Sequence, residues 1–114
     1  MDDLVSAIPS MSYSRPLEPM VEMLRMRHLA PIYGGRTPIA PEAQDLLVIE
    51  EIPDIFVTGH VHGVGIGDYR NVTLINSSAW QSQTSYQKMR NLEPIPAVVP
   101  ITNLSTMTTT MKEF

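Results

Sequence analysis

Pro53-Asp54-Ile55-Phe56-Val57-Thr58-Gly59-His60-Val61-His62-Gly63-Val64-Gly65-Ile66-Gly67 is the stretch on which the fold turns. Pro53 interrupts any element before it. Asp54 to Thr58 is short, rich in β-branched residues and apolar on both faces, the pattern of a central strand covered by layers on both sides. After His62 the pattern takes period two, with Gly63, Gly65 and Gly67 alternating with Val64 and Ile66. Asp68-Tyr69-Arg70-Asn71 reads as a turn and Val72-Thr73-Leu74-Ile75 as the returning strand. Segments 63–67 and 72–76 are therefore expected to pair as a hairpin. The alternate glycines would leave one face of that hairpin bare for close packing.

Upstream the pattern is helical. Asp2 or Asp3 would cap a short helix through Leu4, Val5 and Ile8, stopped by Pro9. After a loop over Ser10 to Pro16, a helix is expected from about Leu17, with Pro16 and Pro19 tolerated in a first turn whose N–H groups lack partners. Leu17, Met20, Val21, Leu24 and His28 share one face of it, and Pro31 with Gly34-Gly35 ends it. Pro41 opens a third expected helix, Glu42 to about Glu51, with Ala43, Leu46, Leu47 and Ile49 on one stripe. Downstream, residues 79–95 are polar, with Trp80 and Tyr86 as expected anchors. Ala97 to Ile101 and Met107 to Met111 predict a last hairpin around Asn103. Helices, one buried strand and then hairpins read as a layered α/β domain whose earlier strands are missing.

The chain has 114 residues, which fits one small domain or a piece of a larger one, and its 43% hydrophobic content can build a core. A domain of this size gains much from packing against further chain. It has no cysteine, which removes disulfides, thiolate metal sites and cysteine nucleophiles together. The formal net charge is −4 and no basic stripe is visible. Neutralising phosphates supplies most non-specific affinity for nucleic acid, so any grip on DNA is expected mainly from another chain or subunit. Met1-Asp2-Asp3 is acidic where the start of a signal peptide is basic. No apolar run approaches the roughly 20 residues that span a bilayer. The sequence reads as soluble and cytoplasmic, without a membrane partner.

Gly59-His60-Val61-His62 follows the C-terminal end of the expected buried strand, where ligands of open α/β sheets gather. In extended chain, histidines at i and i+2 point the same way with Cα atoms roughly 6.5–7 Å apart. Each imidazole reaches a metal at about 2.0–2.1 Å. Such a pair can serve two ions roughly 3.5–4 Å apart, the spacing used for in-line attack on a phosphodiester. Gly59 would remove bulk where the strand turns beside the site. The competing motifs are weaker. Gly63-x-Gly65-x-Gly67 has the wrong spacing for a dinucleotide fingerprint, and Gly34-Gly35-Arg36-Thr37 lacks the P-loop lysine. There is no Gly-x-Ser-x-Gly elbow. His28, beside Arg27, reads as a packing or capping residue, and a mononuclear cupin-type site would want a glutamate that residues 63–67 do not offer.

Gly-His-Val-His after a strand resembles the last metal motif of the calcineurin-like metallophosphoesterases. Asp2-Asp3-Leu4-Val5-Ser6-Ala7-Ile8-Pro9, Arg27-His28-Leu29-Ala30-Pro31, Arg36-Thr37-Pro38-Ile39-Ala40-Pro41-Glu42, Pro53-Asp54-Ile55-Phe56, Asn76-Ser77-Ser78-Ala79-Trp80-Gln81 and Gln83-Thr84-Ser85-Tyr86-Gln87-Lys88 are together similar to the small subunits of archaeal family D DNA polymerases. The likeness runs from residue 2 to about 101, and the tail over 103–114 matches weakly.

The resemblance implies the C-terminal portion of a metallophosphoesterase sandwich and a 3′→5′ proofreading exonuclease. It also implies a binuclear divalent metal, expected to be Mn²⁺, and as partners a large polymerase subunit and the 3′ end of DNA. By the family motif His60 and His62 would each ligate one ion. The family's remaining ligand motifs are absent, and its upstream histidine would fall just before Asp2, so the chain is expected to begin immediately after it. This is half a site, and the chain by itself is expected to be inactive. The alternative is a non-catalytic scaffold subunit, the role of related subunits that have lost their metal ligands; the retained His60 and His62 speak against it.

Overall fold

The computed structural model describes residues 1–114, as α/β chain with a three-stranded mixed sheet and a separate two-stranded ribbon. Helices α1 (Asp2–Ala7) and α2 (Leu17–Met26) precede β1 (Ile55–Thr58), β2 (Gly65–Tyr69) and β3 (Val72–Asn76). Helix α3 (Ser85–Met89) and the ribbon strands β4 (Val98–Asn103) and β5 (Thr108–Glu113) follow. The expected α/β class, the 63–76 hairpin and the C-terminal hairpin are all present.

Strand order in the sheet is β1-β3-β2. β1 runs parallel to β3, from Ile55 opposite Thr73 to Thr58 opposite Asn76. β2 runs antiparallel to β3, from Gly65 opposite Asn76 to Tyr69 opposite Val72. Arg70 and Asn71 both take positive φ, 48° and 65°, which gives this two-residue loop the twist that flanking strands require. The chain leaving β1 must therefore cross over the end of β3 before β2 begins. That crossing is residues 59–64.

The central strand is β3, whose five residues are all buried. This corrects the expectation for 54–58, since β1 lies at an edge and Val57 is 56% exposed. An apolar run gives the same signal at the edge or the centre of a sheet, because the neighbour on each side is not written in it. The core proper is Met20, Val72 and Leu74, with Leu17, Val21, Leu24 and Phe56 packed around them. Leu17 reaches the bare face of the hairpin. A Cβ at Gly67 would lie 2.9 Å from its side chain and one at Gly65 3.3 Å, so the glycine alternation admits α2 as expected.

The expected third helix over 42–51 does not form. Instead Leu29 N–H donates to Leu47 O at 2.9 Å and Ile49 N–H to Arg27 O at 2.8 Å, laying 47–49 antiparallel to 27–29. Asp45 explains the failure. Its carboxylate accepts from Leu47 N–H at 3.0 Å and meets His28 Nε2 at 2.8 Å, a local turn that competes with helical bonding. Ala43 and Leu46 are exposed, Leu46 by 72%, so half of the supposed apolar stripe buries nothing that would favour a short helix. His28 also leaves the α2 face on which it was placed. Arg27 enters the left-handed region at φ 54° and stops the helix, with His28 N–H donating to Met23 O. Trp80 is a further correction, at 72% exposed, with its ring 5.7 Å from that of Phe114. Tyr86 is also no core anchor, at 58% exposed.

The Arg27 guanidinium donates to Ile49 O through Nε at 3.0 Å and Nη2 at 2.8 Å, and to Glu50 O. Arg27→Ala should free the 47–50 segment at a cost of about 1 kcal/mol. Amide hydrogen exchange at Leu29 and Ile49 should then accelerate while β3 amides are unchanged. Equal protection at Ile49 in both proteins would contradict this assignment.

Candidate functional site

The crossing 59–64 carries both histidines, and its shape is set from below by one side chain. Asn76 ends β3 between the last residue of β1 and the first of β2, and is fully buried. Its Oδ1 accepts from Thr58 Oγ1 at 2.8 Å and its Nδ2 donates to Gly63 O at 2.9 Å. One amide thus ties down the residue before the crossing and a residue near its end. Ser77 N–H donates to Thr58 O at 2.8 Å, and Ile95 N–H to His62 O at 2.9 Å. The sequence alone gave Asn76 no role beyond the resemblance; its signal is a polar residue ending an otherwise apolar strand.

The crossing is not the extended chain expected of the two histidines. His60 has φ 77° and Val61 N–H donates to Gly59 O at 3.0 Å, which together make the rare γ-turn of positive φ. His62 also lies in the left-handed region, at φ 57°. Gly59, by contrast, is not the strained residue. A Cβ there would meet Ser77 Oγ at an ordinary 3.6 Å, so its expected bulk-relieving role is not required by this backbone. Non-glycine residues at positive φ cost roughly 1–3 kcal/mol each and gather at functional sites.

His60 and His62 nonetheless line one cleft of about 380 Å³. Asp2 at the start of α1, Tyr13, Arg36, Thr84, Tyr86 and Gln87 are the other polar residues of its wall. His60 is exposed, with Nε2 3.0 Å from both carboxylate oxygens of Asp2. His62 Nδ1 is buried and has no hydrogen-bond partner in the chain. A buried imidazole nitrogen left unpaired is a place where an atom from outside the chain is wanted. Burial pushes the Tyr13 hydroxyl above its ordinary value. Two further carboxylates, Asp45 and Asp68, are engaged elsewhere. Asp45 binds His28, and Asp68 accepts from Thr73 Oγ1 at 3.1 Å.

The segment Gly34-Gly35-Arg36-Thr37 has a use the phosphate-loop comparison missed. Arg36 and Thr37 N–H both donate to the Asp3 carboxylate, and a Cβ at Gly35 would fall on that carboxylate. Successive amides around an anion form a nest, here filled by an internal acid. Hydrogen bonding from the Thr37 side chain and then the Arg36 amide holds the Asp3 carboxyl below the usual carboxylate range.

As a test of metal fit, the donors are of the right chemistry but too few. His60, His62 and Asp2 offer nitrogen and oxygen ligands, yet no group of three or more such side chains converges on a point in this chain. His60→Gly should relieve the γ-turn and raise thermal stability by about 1 kcal/mol, whereas His60→Ala, which keeps the strain, should not. Identical melting temperatures for the two variants would show that the turn is unstrained.

No protein-family model matches the chain. It is similar to DNA polymerase II small subunits of archaea, with 54% identity over 101 residues to that of Archaeoglobus fulgidus, covering 89% of this chain and 21% of the relative. Identity to the Pyrococcus furiosus small subunit is 50% over 106 residues, covering 93% of this chain and 17% of the relative. The Thermoplasma acidophilum protein matches over 114 residues at 45% identity, covering 100% of this chain and 23% of the relative. The chain thus spans about a fifth of the length of the curated relatives it matches.

Proposed function

Because the chain is homologous to archaeal DNA polymerase II small subunits, we propose that it serves as part of such a subunit in DNA replication, contributing His60 and His62 to a metal-dependent 3′→5′ exonuclease site. The observation that carries the reading is the convergence of both imidazoles on one cleft, on strained backbone, with His62 Nδ1 buried and unpaired. Strain at two adjacent-but-one histidines is costly to keep, and the Asn76 anchor beneath them is what keeps it.

In this reading each histidine would hold one ion of a divalent pair, Mn²⁺ by expectation, and the metal would supply Lewis-acid activation of water for attack on a phosphodiester. Asp2 orients His60 and balances charge beside it. The Tyr13 hydroxyl, in the lining of the cleft, is placed to donate a hydrogen bond to an oxygen bound there. Two histidines and one carboxylate do not fill a binuclear centre, so the remaining ligands come from outside these 114 residues. The name small subunit fits a larger polymerase subunit as partner. The scant core, 12 buried residues of 114, fits a chain that packs against more protein. No helix is long and apolar enough to cross a membrane.

His60→Ala or His62→Ala in the complete small subunit should reduce Mn²⁺-dependent cleavage of single-stranded DNA by at least about a hundredfold, with assembly on the large subunit unchanged. The isolated 114-residue chain should show no cleavage. Wild-type rates in both variants would remove these residues from the site.

A further inference from the structure

Arg36 is the one permanent cation lining the cleft of His60 and His62. Its side chain is exposed and makes no ion pair or hydrogen bond within the chain. Its main chain is the opposite, fixed through its own amide and that of Thr37 to the Asp3 carboxylate. Gly35 is required for that approach, and Gly34 takes φ 73° to deliver it. A glycine-shaped loop, tethered to Asp3, thus presents an unpaired guanidinium to a cleft whose single carboxylate, Asp2, already faces His60.

We propose that Arg36 is a phosphate-binding residue of this cleft, holding a backbone phosphate of a single-stranded DNA substrate beside His60 and His62. The inference rests on the reading of the cleft as a nuclease site. A guanidinium offers a planar fork that matches two phosphate oxygens, and pre-ordering its backbone lowers what is lost on binding. The chain as a whole has net charge −4, so one cation fixed in the cleft places the attractive charge where the scissile strand would lie. Asp3 acts through Arg36 and is a positioning residue.

The test is binding of a short fluorescein-labelled oligothymidylate to the complete small subunit, followed by anisotropy in metal-free buffer at several salt concentrations. Arg36→Gln should weaken binding about tenfold. It should also reduce the magnitude of the slope of log K against log salt by about 0.7, the loss of one phosphate contact on a single strand. Arg36→Lys should restore the slope, because the charge returns. Arg70→Gln, at the far end of the sheet on the β2–β3 turn, should leave it unchanged. An unaltered slope in Arg36→Gln, or the same loss in Arg70→Gln, would overturn the proposal. The slope is read without metal, so it reports on Arg36 whether or not His60→Ala abolishes cleavage.

Discussion

Two hydrogen bonds at one buried amide, Thr58 Oγ1 to Asn76 Oδ1 and Asn76 Nδ2 to Gly63 O, hold the crossing on which the placement of both histidines depends. The sheet order places β3 between β1 and β2, so the connection from β1 has to pass over the end of β3. Six residues make that passage, with a γ-turn at His60 and a left-handed residue at His62. Such backbone persists only when its surroundings over-determine it. Asn76 supplies that determination from inside the sheet, and because it is fully buried its amide has no water to turn to instead.

The rest of the cleft is brought to that passage by similarly small devices. Asp3 gathers the 34–37 loop and so places Arg36. Thr84 caps α3 by accepting from Gln87 N–H at 3.2 Å, while the Gln87 side chain accepts from Thr84 N–H at 2.9 Å, and this short helix brings Tyr86 to the rim. None of these is a large hydrophobic contact. The main apolar cluster, Met20, Val72 and Leu74, lies where α2 packs on the sheet, and none of the three lines the cleft of the histidines. The site is therefore a polar assembly on the C-terminal end of β1, which is where open α/β sheets put their ligands.

Much of this was legible in the residues. The period-two hairpin, its glycine face and the helix from Leu17 follow from patterns whose partners are local, and Leu17 does pack on Gly65 and Gly67. The pairing of His60 with His62 in one cleft follows from their position after a strand. What was not legible depended on distant partners. Pro41 and the apolar positions after it look helical until His28 and Arg27 claim Asp45, Ile49 and Glu50. The edge position of β1 and the exposure of Trp80 were hidden for the same reason. The positive φ values of His60 and His62 have no sequence signal of their own, since glycine or asparagine would be the local choice.

The central proposal is that His60 and His62 serve as metal ligands on this loop. Adding Mn²⁺ to the 114-residue chain while following its imidazole signals by NMR tests it directly. The account predicts that His60 and His62 broaden first and together, with weak affinity because few ligands converge here. Broadening confined to His28, whose Nε2 faces Asp45, would contradict it, as would sub-micromolar binding that leaves both cleft histidines sharp.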